Sequence, residues 1–251
     1  MKKFLQKKTV WVILSIVLLG LLIWGIQWAT FARPPLPEAL AALPSDELVT
    51  VSTDPWLTFT PAQTDPAVGF IFYPGGRVDP QAYAGLMRTI SEGGYLVVVP
   101  SMPINMAIFN TNAANPIIAA YPEIDRWVIG GHSVGGTAAV LYVAANPDQI
   151  AGLAIWSSYP ANNSDISKLS LPVILLYGSN EIRVTDESVG ARQHLLPPHT
   201  LYIKIEGGDH HQFGAYQLTR EDDLATISRA EQHTQILAPM LDLLQVVSEN
   251  Q

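Results

Sequence analysis

Four glycines around one serine, in Gly130-Gly131-His132-Ser133-Val134-Gly135-Gly136, constrain this chain more than any other stretch. The apolar residues Trp127-Val128-Ile129 lead in, and a helix-like segment, Thr137 to Ala145, follows. The pattern reads as a buried strand turning sharply into a helix, with Ser133 at the corner. Gly131-x-Ser133-x-Gly135 fits the G-x-S-x-G elbow, in which the serine occupies a strained strand-to-helix turn. Glycines at the flanking positions remove side chains that would collide as strand and helix pass close together. The turn holds the hydroxyl at the end of the sheet, within reach of a base and of substrate, which makes serine a usable nucleophile. By itself the motif is weak, since three fixed positions match by chance in roughly one in ten chains of this length. A plain structural turn is the competing reading, and the strand and helix on either side count against it.

The first part of the chain has another character. Lys2, Lys3, Lys7 and Lys8 precede an uncharged run from Val10 to Trp28 that is rich in Leu, Ile, Val and Trp. As a helix that run spans ~28 Å, close to the hydrocarbon thickness of a bilayer. Lysines before it, with only Arg33 soon after, predict a cytoplasmic N-terminus and an extracytoplasmic remainder. A cleaved signal peptide is the alternative, with Thr30-Phe31-Ala32 as a passable site. Its apolar core would be shorter, and Pro34 and Pro35 are poor neighbours for cleavage.

This segment holds four of the 14 basic residues and none of the 22 acidic ones, so residues 33–251 carry a net charge of −12. Such a surface argues against nucleic acid and against polyanionic substrates. The chain has no cysteine, which excludes disulfides, thiol catalysis and cysteine-ligated metal.

Arg33-Pro34-Pro35-Leu36-Pro37 reads as a short stiff spacer. Beyond it, apolar runs predict strands at Val49–Ser52, Trp56–Phe59, Val68–Tyr73, Leu96–Pro100, around Trp127, and at Gly152–Ser157, Val173–Tyr177 and Leu201–Ile205. Helices are predicted over Pro80–Glu92, Pro116–Tyr121 and Glu187–Leu195, and from Ile227 to Val247 with a break at Pro239. Strands alternating with helices predict an α/β fold, a mostly parallel sheet covered on both faces. The expected division is 1–32 as basic tail and membrane anchor, 33–47 as proline-rich linker, and 48–251 as one catalytic domain.

Serine hydrolysis on such a sheet needs an acid and then a histidine later in the chain. Glu181 follows the strand ending at Tyr177, at the carboxyl edge where ligand sites of open parallel sheets lie. After Ile205 comes Glu206-Gly207-Gly208-Asp209-His210-His211-Gln212-Phe213-Gly214. Three loops of one edge thus present Ser133, Glu181 and a histidine. With Tyr73-Pro74-Gly75-Gly76-Arg77-Val78 and Ala225–Gln232, these segments resemble the α/β-hydrolase superfamily, most closely its fold-5 branch. The resemblance covers about Val68 to Gln232.

It implies an α/β-hydrolase fold with a minimal cap, Ser133 as nucleophile, His210 as base and Glu181 as acid. Glu181 stands where the branch more often has Asp, and Asp186 is the substitute. Asp209 adjoins the histidine and is a poorer one. His211 takes a variable position, and His132 reads as a packing residue of the turn. The oxyanion donors expected are the N–H of Val134 and one from the Gly75-Gly76-Arg77 loop, Gly76 or Arg77.

Only Ser158 to Leu171 joins two neighbouring strands where a cap is often inserted, too short for a large one. Met102, Trp156 and Tyr159 are candidates for the pocket wall, although each could equally belong to the core. An open, shallow site for a small acyl ester is expected, in a monomer without cofactor or metal. Asp209-His210-His211 with Glu206 lacks the H-E-x-x-H helix of a zinc hydrolase, and no G-x-G-x-x-G follows a strand. The rivals that remain are a thioesterase or amidase using the same triad, and a membrane-tethered binding module that has lost catalysis.

Overall fold

Runs of Val, Ile, Leu and aromatic residues, punctuated by Gly, Pro and Asp, form eight strands in the computed structural model, which describes residues 2–218 and 224–249. They are β1 (Val49–Ser52), β2 (Leu57–Pro61), β3 (Val68–Tyr73), β4 (Leu96–Val99), β5 (Arg126–His132), β6 (Gly152–Trp156), β7 (Val173–Gly178) and β8 (Leu201–Ile205). All lie in one sheet of order β1-β2-β4-β3-β5-β6-β7-β8. The first two pairings, β1 with β2 and β2 with β4, are antiparallel. Every later pairing is parallel. Strands β3, β4, β6 and β7 are buried at every residue, as expected where helices cover both faces.

The helices are α1 (Lys2–Thr30), α2 (Pro37–Leu40), α3 (Ala84–Glu92), α4 (Ala114–Ala120), α5 (Val134–Ala145), α6 (Asp186–Gly190) and α7 (Arg229–Glu249). Side-chain alternation along β3 separates two cores. Phe70 and Phe72 join Leu86, Met87 and Ile90 of α3 and Ile236, Met240 and Leu244 of α7. Ile71 and Tyr73 join Ile117 of α4 and Ala138, Val140 and Tyr142 of α5. Each fully buried Val, Leu, Ile, Phe or Met among them contributes about 1.5–3 kcal/mol relative to exposure.

Three expectations are revised. Pro80–Glu92 opens as a 3-10 turn, Pro80–Tyr83, capped by Asp79 accepting from Gln81 N–H, before α3 begins. Pro239 does not interrupt α7. Ile236 and Met240 on either side of it are fully buried, so core burial outweighs the ~3 kcal/mol cost of an interior proline. The proline-rich stretch is not a free spacer. Arg33 N–H donates to Arg77 O (2.6 Å), Asp79 N–H to Arg33 O (3.1 Å), Gln217 N–H to Pro34 O (3.0 Å) and Leu36 N–H to Ala215 O (2.8 Å). The chain here is stitched between two loops of the domain, and α2 then buries Ala39. Within α1, Trp11–Trp28 has the length and apolarity of a membrane span, which signal sequences share.

Helix α5 passes so close to the end of β3 that a Cβ on Gly135 would lie 2.1 Å from the Tyr73 carbonyl oxygen. Both groups belong to buried backbone and cannot yield separately. Gly135→Ala should therefore destabilise the domain by about 3 kcal/mol or more, read as a lower urea midpoint.

Candidate active site

Strand β5 ends at His132 and α5 begins at Val134. Ser133 between them has φ 55° and ψ −124°, a left-handed conformation costly for a residue with a Cβ. The turn aims Ser133 Oγ at His210 Nε2, 3.1 Å away. His210 comes from the loop after β8, and its Nδ1 lies 3.2 Å from Glu181 Oε2. Glu181 comes from the loop after β7, with a fully buried side chain. Its Oε1 accepts from Gly178 N–H at 2.9 Å, which turns the carboxylate back onto its own strand end. Three loops of one sheet edge thus meet in a hydrogen-bonded line from serine to imidazole to carboxylate.

A fourth residue of this cluster escaped the sequence reading. Ser157, fully buried with φ 46°, follows β6. Its hydroxyl donates to Glu181 Oε2 (2.7 Å) and also touches His210 Nδ1. The available signal was a polar residue ending the apolar run Gly152–Trp156 at the carboxyl edge. Asp186 is not part of the line. It accepts from Tyr177 Oη and pairs with Lys204 on the surface.

His132 does more than pack. Its Nε2 lies 2.9 Å from the His210 carbonyl oxygen, which can only accept, so Nε2 carries the hydrogen. Nδ1 then accepts from Tyr83 Oη at 2.9 Å, and Tyr83 Oη in turn accepts from Gly75 N–H at 3.0 Å. One neutral imidazole thus joins the Ser133 turn, the histidine loop and the glycine loop. Burial, with His210 and His211 nearby, holds its pKa well below the ordinary value.

The His210 loop is also braced from behind. The Asp209 carboxyl accepts from the N–H groups of His211, Gln212 and Leu224. Gln232 of α7 bonds both the N–H and the carbonyl of Asp209.

In the glycine loop, Arg77 N–H donates to Asn105 O at 2.7 Å, which removes it as an oxyanion donor. Gly76 remains, and a Cβ there would lie 2.9 Å from Met106 Sδ and 3.0 Å from Val134 Cγ1. A cavity of about 280 Å³ opens in front of Ser133 and His210, with Arg33, Gly76, Ile182 and Leu224 in its wall.

The expected pocket residues lie elsewhere. Trp156 is fully buried between Phe72 and Phe213 because β6 points it into the core. Met102 joins the opposite core cluster, and Tyr159 is covered by the Arg192 guanidinium. None of the three lines the cavity; from the Ser101–Asn115 loop it is Met106 that approaches Gly76. Among the described residues, no group of three His, Asp or Glu side chains is placed to hold a metal ion.

This topology and site define an α/β hydrolase. A profile of the alpha/beta hydrolase family matches residues 69–234, and the chain belongs to that family. Solved structures with the same fold include a predicted CIB-like hydrolase from Thermoplasma acidophilum, 15% identical, with TM-score 0.56 over 79% of this chain and 98% of that one. Est1E from Butyrivibrio proteoclasticus is 12% identical, with TM-score 0.57 over 78% and 99%. MGS-MChE2, an alpha/beta hydrolase enzyme from the metagenome of lagoon sediments at Mar Chica, Morocco, is 15% identical, with TM-score 0.53 over 66% and 90%. No curated protein matches the chain.

His132 and His233 give the domain a pH-dependent stability. Burial lowers both pKa values, that of His233 to about 4. Below the unfolded histidine pKa of ~6.5, the unfolded chain binds protons that the folded one does not, so stability falls with pH. Each histidine accounts for up to about 1.4 kcal/mol per pH unit, and the loss at His233 ends near its folded pKa. Chemical denaturation between pH 7 and 5 should show this decline, and His233→Gln should make it shallower.

Proposed function

We propose that the protein is a membrane-anchored serine hydrolase, a carboxylesterase for small acyl esters, working through Ser133, His210 and Glu181. The observation that carries this reading is the placement of His210 between the serine hydroxyl and a buried carboxylate. Trp11–Trp28 is the proposed anchor, with the domain on the extracytoplasmic side and no partner chain needed to complete the site.

In the first half-reaction, His210 Nε2 takes the Ser133 proton as Oγ bonds to the ester carbonyl carbon. Glu181 holds the Nδ1–H tautomer and stabilises the imidazolium. The carbonyl oxygen becomes an oxyanion facing the N–H groups of Gly76 and Val134; losing one such donor costs about 2.7–4 kcal/mol in the barrier. Collapse breaks the bond to the alkoxide, which leaves as alcohol with the proton from Nε2. Water then enters, loses its proton to Nε2, and attacks the acyl-enzyme. Collapse returns that proton to Ser133 Oγ and releases the carboxylic acid. Ser157 positions the pair behind the base, because its hydroxyl satisfies Glu181 Oε2 while touching Nδ1.

Hydrolysis of p-nitrophenyl butyrate and labelling by a fluorophosphonate should vanish together in Ser133→Ala, with kcat down by about 10³-fold or more. A folded wild type that neither turns over nor labels would instead mark the scaffold as a non-catalytic binding module. His210→Ala should abolish turnover while His211→Ala leaves most of it; equal loss from both contradicts the assignment.

Ser157→Ala should lower kcat about tenfold with KM little changed. A kcat that stays at the wild-type value would leave Ser157 a packing residue.

A further inference from the structure

The connection between the apolar helix and the site is very short. Helix α1 runs to Thr30, and by Arg33 the chain is already bonded into the glycine loop. The step from Thr30 to Arg33 can span no more than about 11 Å. Arg33 itself lines the cavity, so the cavity wall lies within that distance of the helix end.

Two side chains close the remaining freedom. Arg77, next to Gly76, donates from Nη2 to the Trp28 carbonyl at 2.8 Å, and its guanidinium stacks on Trp28 at 4.5 Å. Asn105 Nδ2 donates to the Thr30 carbonyl at 2.9 Å. The residues that secure the glycine loop therefore also grip the last turn of the helix.

The cavity and its surroundings also carry exposed apolar side chains, for which a water-facing esterase has no need. Ile182 and Leu224 line the cavity, yet are 77% and 42% exposed. Ile104, beside Asn105, is 45% exposed, and Phe31, just past the helix, is 49% exposed. The rest of the domain is strongly acidic, so this apolar rim does not follow from composition alone.

We infer that the cavity opens at the membrane surface and takes a small acyl ester carried by a membrane-resident amphiphile. The inference rests on the hydrolase reading above and on retention of the helix. A helix that spans the bilayer places Trp28 at the interface, where indoles concentrate. The ester of such an amphiphile sits at headgroup depth, and a two-residue connector delivers the nucleophile to that level. A cavity of 280 Å³ is at the small end for ligand sites. It accommodates the ester and a short acyl group, while the long chain of the alcohol half stays in the bilayer against Ile182 and Leu224. Confinement to one surface also raises the effective concentration of ester at Ser133 without any added contact.

The test uses the full chain reconstituted in phosphatidylcholine vesicles, with three acetyl esters as probes. Octadecanoylamino-fluorescein diacetate resides in the bilayer, carboxyfluorescein diacetate stays in water, and p-nitrophenyl acetate reports the basal chemistry. Wild type should favour the bilayer-resident diacetate over its soluble counterpart by about tenfold or more. A Gly/Ser insertion of about 12 residues after Phe31, with a reach of ~20 Å, should erase that preference and leave p-nitrophenyl acetate turnover in place. Equal cleavage of the two diacetates by wild type overturns the proposal and spares the esterase reading. Preference that survives the insertion overturns it as well. No turnover of any of the three esters sinks the hydrolase reading, and this inference falls with it.

Discussion

The backbone contact between the start of α5 and the end of β3 is the constraint on which the site depends. Gly131 and Gly135 lie where any side chain would strike main-chain atoms within 2.7 Å. Without that approach the turn at Ser133 relaxes, and its hydroxyl no longer points along the sheet edge at His210. The left-handed conformation of Ser133 costs of order 1–3 kcal/mol. It is held because β5 packs into the core clusters on both faces of the sheet, while α5 is locked into one of them. The glycine loop is part of the same lock, since the Cβ that Gly135 lacks would also lie 2.5 Å from the Pro74 carbonyl oxygen.

Hydrogen bonds then set the loops relative to one another. His132 reaches the histidine loop through the His210 carbonyl and the glycine loop through Tyr83. Glu181 is fixed by Gly178 and Ser157 before it meets His210. Asp209 and Gln232 hold the backbone from which His210 projects. Each loop is thus positioned by hydrogen bonds to neighbouring elements, which is how loops can hold side-chain geometry to within about 0.5 Å.

Much of this was legible in the chain because local rules and the fold agree. Short apolar runs marked all eight strands, and the glycine spacing marked the turn. The order Ser133, Glu181 and then a histidine placed the line of residues on one edge, and the family resemblance singled out His210. What remained hidden depends on long-range placement. Ser157 looked like a strand end because nothing local says that Glu181 and His210 converge on it. Trp156 stayed open between pocket and core because only the register of β6 against β5 and β7 shows which face it takes. The proline-rich stretch looked like a spacer, since the bonds that hold it run to loops more than 40 residues away. Pro239 looked like a break because propensity ignores the burial of Ile236 and Met240.

Glutamate at position 181 is understood from the same packing. Its extra methylene, relative to aspartate, lets the carboxylate fold back to Gly178 N–H and still present Oε2 to the imidazole. That geometry leaves Oε2 with room for a second donor, and Ser157 fills it from the neighbouring strand. A fully buried carboxylate with unfilled acceptor sites would be expensive, whereas here both oxygens are bonded. The left-handed backbone at Ser157 is the local strain that accompanies this arrangement. Glutamate and Ser157 therefore form a matched pair: the longer acid creates the gap, and the hydroxyl on β6's end closes it while keeping the His210 imidazole aimed at Ser133.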